Sequence, residues 1–67
     1  MKKKLVKNYR ATLIKWGILG ALFELSKEFN EPPTVEDLEK LLKECDKEFP
    51  QNPERTTLEV REFYVAT

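Results

Sequence analysis

From Leu5 to Phe29 the chain is dense in apolar residues, and their spacing fits a helix. On a wheel at 100° per residue, Leu5, Tyr9, Thr12, Trp16, Leu19 and Phe23 gather on one side, with Leu13 at its edge. Ile14, Ile18, Ala21, Leu22, Leu25 and Phe29 gather on nearly the opposite side. The pattern predicts one long helix over 5–29, apolar on two faces from Leu13 onward. The segment "NEPP" at 30–33 ends it, because Asn30 can follow the last turn and the prolines cannot continue it.

The next segment opens on "PTVED" and carries a single apolar stripe, Val35, Leu38, Leu42, Cys45 and Phe49, with Leu41 beside it. Thr34 has the chemistry of an N-cap, and Asp37 stands where a capping box needs an acid. A second helix is therefore expected over 34–48, broken by "FPQNP" at 49–53. The last segment, "ERTTLEVREFYVAT", supports two readings. As a helix over 53–64 it has Asn52 as cap and Pro53 in the first turn. As a strand it alternates Leu58, Val60 and Tyr64 with Glu59, Arg61 and Phe63, but it would lack a partner strand in a chain otherwise read as helical. Helix is preferred. The expected fold is an all-α, three-helix domain, or mainly α with one short C-terminal strand, built round the long N-terminal helix.

Two short elements cannot wrap a two-faced helix about 39 Å long. The uncovered remainder predicts a homodimer in which first helices pair across a two-fold axis through Leu13, Trp16, Gly17, Leu19, Gly20 and Phe23. A chain of 67 residues is a single small domain, and its one cysteine and absent histidines rule out an internal disulfide and the usual zinc sets. The unstapled core strengthens the case for a partner. The lone thiol points to a reducing, cytoplasmic setting.

Net charge is zero, with twelve basic and twelve acidic residues, but the distribution is uneven. Lys2, Lys3, Lys4, Lys7, Arg10 and Lys15 precede the first acid, Glu24, so a flexible basic arm over 1–4 leads into an acidic body. The longest uncharged run after Lys15, Trp16 to Phe23, is far short of the roughly 20 residues of a membrane span. No catalytic constellation, phosphate loop or metal-ligand spacing occurs, and no cofactor is expected.

These features predict a small non-enzymatic helical protein of inhibitor or adaptor type, acting as a homodimer on an unidentified protein. The alternative is a dimeric helix-turn-helix-like DNA-binding regulator, since three helical segments in this order match that topology. Its nucleic-acid contacts would come from Lys2, Lys3, Lys4, Lys7, Arg10, Arg55, Thr56, Thr57 and Arg61. Attachment of the basic, aromatic N-terminal helix to an anionic membrane surface is a third outcome.

Overall fold

The computed structural model describes residues 3–67; Met1 and Lys2, the outer part of the basic arm, lie outside the described residues. The predicted long helix is a β-hairpin. Strand β1 runs Leu5–Gly17 and strand β2 runs Gly20–Phe29, followed by helix α1, Val35–Glu48, and strand β3, Arg55–Ala66. The three strands form one antiparallel sheet in the order β2-β1-β3. The all-α, three-helix expectation is thus overturned, and the helix-turn-helix alternative falls with it, because the segments it requires as first and third helices are strands.

The physical reason lies in the two apolar faces. A helix apolar on opposite sides must be buried on both, which this chain cannot do, whereas a strand turns alternate residues to opposite faces by construction. Leu5 to Trp16 is also rich in Val, Tyr, Thr, Ile and Trp, residues that suit a pleated surface. Once the hairpin exists, β1 supplies the partner that the last segment needs. β3 pairs with it without a break, from Leu5 opposite Ala66 to Trp16 opposite Arg55.

Alternation sorts the sheet into two faces. Ala11, Leu13 and Lys15 of β1 and Phe23, Leu25 and Phe29 of β2 point to the side that α1 covers. The core is Ala11, Leu13, Leu41 and Cys45, fully buried, ringed by Phe23, Leu25, Phe29 and Leu38. Helix α1 is capped by Thr34. Its hydroxyl accepts from the Asp37 amide at 3.2 Å, and the Asp37 carboxylate accepts from the Thr34 amide at 2.9 Å, closing the capping box. That backbone hydrogen bond from Thr34 is the main reason the Asp37 carboxyl lies below the usual carboxylate range.

Lys15 fastens the other end of the helix. The residue is only 4% exposed, and its ammonium donates to the Phe49 carbonyl at 2.6 Å and pairs with Asp46 at 2.7 Å. A cation at the negative end of a helix is favourable, and here it satisfies a carbonyl left over by the last turn. Phe49 in turn stacks on Phe23, with ring centroids 5.6 Å apart.

α1 packs on β1 and β2 and leaves β3 uncovered. The molecule is consequently thin, 50 × 26 × 15 Å, with a radius of gyration of 14.5 Å. A compact chain of this length would have about 11 Å. Much of the apolar surface therefore has nothing to pack against.

Candidate interaction surface

The most exposed apolar group is the tip of the β1–β2 hairpin. Gly17 faces Gly20 across the ladder, so Ile18 and Leu19 alone make the turn. Two-residue hairpins favour primed turns with Asn, Asp or Gly at the centre, because those match the strand twist. Among the described residues no non-glycine residue has positive φ, so this turn is not of a primed type. The mismatch is absorbed next to it. Gly20 takes φ +146°, and the register shifts between Lys15 and Trp16, so that Leu22 is an extra residue on β2.

The result is an apolar knob. Ile18 is 86% exposed, Leu19 fully exposed and Leu22 half exposed. The Leu22 side chain lies against Gly17, where an added Cβ would come within 3.0 Å of it. Asn52 and Glu54 border the same recess, and the Glu54 amide donates to the Trp16 carbonyl at 2.8 Å, tying the β3 approach to the base of the knob.

The second surface is the sheet face opposite α1, and its charges are matched. Arg10 pairs with Glu28 at 2.7 Å and sits over Phe63, and Arg61 pairs with Glu59 at 2.7 Å. Arg55 lies over the Trp16 ring, whose indole N–H donates to the Thr57 hydroxyl at 2.7 Å. The third is the part of the helix-side face that α1 does not reach, where Leu58 and Val60 are each about two-fifths exposed.

The six residues expected to pair first helices do not form one patch. Leu13 is in the core, Phe23 stacks under α1, and Trp16 points to the opposite face of the sheet. Gly17, Leu19 and Gly20 are brought together at the tip. The helix-pairing interface is therefore corrected, since the helix it requires is absent. Of the residues considered for nucleic acid, Lys2 lies outside the described residues, and Lys3 and Lys4 are exposed ahead of β1. Arg10, Arg55, Thr57 and Arg61 share the open face, while Lys7 and Thr56 point to the other one. Lys7 pairs with Glu62 at 3.5 Å, and Glu62 is the main reason its ammonium is held above the usual lysine range. Arg10 and Arg61 are paired with carboxylates, which lowers the charge they offer a phosphate backbone, whereas Arg55 has only the Trp16 ring beside it.

Ile18 and Leu22, the most consequential additions to the expected set, had a readable signal. Two glycines separated by two residues, between β-favouring runs, mark a hairpin even when the central pair is not Asn-Gly. Cys45 is a buried core residue, and burial pushes its thiol above the usual range. Among the described residues no group of three or more His, Cys, Asp or Glu is placed to hold a metal ion. No helix among them is long and apolar enough to cross a membrane. No family model, curated protein or solved structure matches the chain.

Proposed function

We propose that this chain is a small, non-enzymatic protein-binding module that docks through its hairpin tip, with Ile18 and Leu19 entering an apolar pocket of another protein. The observation that supports this reading is the exposure of two large apolar residues at a turn where local stability favours polar ones. Burial of each would contribute about 1.5–3 kcal/mol, enough for the pair to act as a binding anchor. Leu22 widens the knob, and Asn52 and Glu54 provide a polar rim. The tip is held by the sheet and by the Glu54–Trp16 hydrogen bond, so little ordering is lost on binding. Action by occupying a partner's pocket is inhibitor- or adaptor-like. A cytoplasmic setting suits the lone reduced thiol of Cys45.

The test is affinity purification from the source cell with the wild type and with an Ile18→Asp, Leu19→Asp variant, the fold of each checked by circular dichroism. One protein retained in fixed stoichiometry by the wild type and lost by the folded variant is expected. A partner retained equally by both would overturn docking through the tip.

A further inference from the structure

The two edges of the sheet differ in how they are guarded. β2 carries a bulge at Leu22 and a lysine, Lys27, both of which discourage edge-to-edge pairing. β3 has neither. It is twelve residues long, contains no proline or lysine, keeps unbroken register with β1, and among the described residues has no strand on its outer side. Lys4 and Thr67 exchange both backbone hydrogen bonds, at 2.9 and 3.2 Å. Counting back from Thr67, Val65, Phe63, Arg61, Glu59 and Thr57 therefore turn their N–H and C=O groups toward β1. Thr56, Leu58, Val60, Glu62 and Tyr64 turn theirs toward the open edge.

We infer that β3 pairs with β3 of a second copy of this chain, antiparallel, about a two-fold axis through Val60. Charge selects that register. Side chains share a face only when the two-fold falls on a residue, and centring it on Glu59 sets Glu59 against Glu59. Centring it on Arg61 sets Arg61 against Arg61, and like charges directly opposite are destabilising. Centred on Val60, Glu59 of each copy faces Arg61 of the other, so two reciprocal ion pairs form where each copy already holds these groups 2.7 Å apart. Thr56 then faces Tyr64, Leu58 faces Glu62, and Val60 faces Val60. All of them belong to the outward-bonding set, which gives five pairs and about ten backbone hydrogen bonds.

The surface beside that edge is apolar and unoccupied. Glu44 and Glu48 border β2 with Phe23 and Leu25, so the helical period turns Val35 and Leu42 to the β3 side of α1. Leu58 and Val60 stand on the same side of the sheet, and all four are well exposed in the single chain, so the two copies' apolar residues are brought side by side. The axis is perpendicular to the sheet, so both helices lie on one face of a continuous six-stranded sheet. The hairpin tips stay free.

Native mass spectrometry and sedimentation velocity over a concentration series test this. A dimer of twice 7.9 kDa is expected. Val60→Pro removes an N–H that faces only the open edge, so a folded monomer is expected. Glu59→Arg opposes two arginines and should weaken the dimer at least tenfold, while Glu59→Arg with Arg61→Glu restores it. The Ile18→Asp, Leu19→Asp variant should dimerise like the wild type. A monomeric wild type, a dimer indifferent to Val60→Pro and Glu59→Arg, or a dimer abolished by the tip variant would each overturn β3 pairing.

Discussion

The Lys15 side chain crosses the layer of core between sheet and helix, its stem among apolar neighbours and its ammonium on the last turn of α1. Lys15→Met keeps the stem and removes the charged hydrogen bond to Phe49, so a loss of about 1.5–3 kcal/mol is expected in urea unfolding. An unchanged midpoint would show that the contact does not hold the helix. At the opposite end of α1, Asp37 has a lowered folded pKa, so its contribution is present above the unfolded value and lost as pH falls through the folded one. Stability should therefore drop below about pH 4 more steeply in the wild type than in Asp37→Asn. Equal acid sensitivity of the two proteins would contradict the capping role. The same residue pair shows what was legible at this scale. "TVED" encodes its capping box in four adjacent residues, and no distant contact is needed to form it.

At the scale of elements, the hairpin was hidden by its own composition. Ile14, Trp16 and Ile18 are apolar on one side of the chain and Leu13, Phe23 and Leu25 on the other, so helical and alternating periods both fit the segment. The deciding feature was Gly17 and Gly20 at hairpin spacing, masked by a turn whose centre is Ile-Leu. Read as a helix, that segment offers no partner strand, and the alternation of Leu58, Val60 and Tyr64 has nowhere to pair. The amphipathic helix is readable from its apolar stripe, but the stripe's centre shifts: Leu41, beside it on the wheel, is buried with Cys45, while Val35 and Leu42 stay exposed because α1 does not cover β3. The Gly17–Gly20 spacing marks the turn itself, but Leu22 joins the knob only through the bulge, which pairing with β1 sets. If the turn is shaped for binding, Ile18→Asn with Leu19→Gly should stabilise the free protein by about 0.5–1 kcal/mol while abolishing partner capture. Gly20→Ala should instead destabilise it by about 1–2 kcal/mol, because φ +146° strains any side chain. A neutral Gly20→Ala would contradict the turn geometry.

The described residues form one sheet with a helix over two of its three strands, and four of them make up the fully buried core. A single layer covered on one side gains little from burial, so a second copy along β3 would supply stability that the chain lacks alone. The melting temperature should then rise with protein concentration, and a concentration-independent value would speak against assembly. Docking through the hairpin involves the end of the molecule away from the Val60 axis. Its most direct measurement places a photo-reactive leucine analogue at position 19, with a control at the exposed Glu44, and cross-links in the source cell. Position 19 is predicted to give one discrete protein adduct that position 44 does not. Lipid adducts, or the same adducts from both positions, would contradict it.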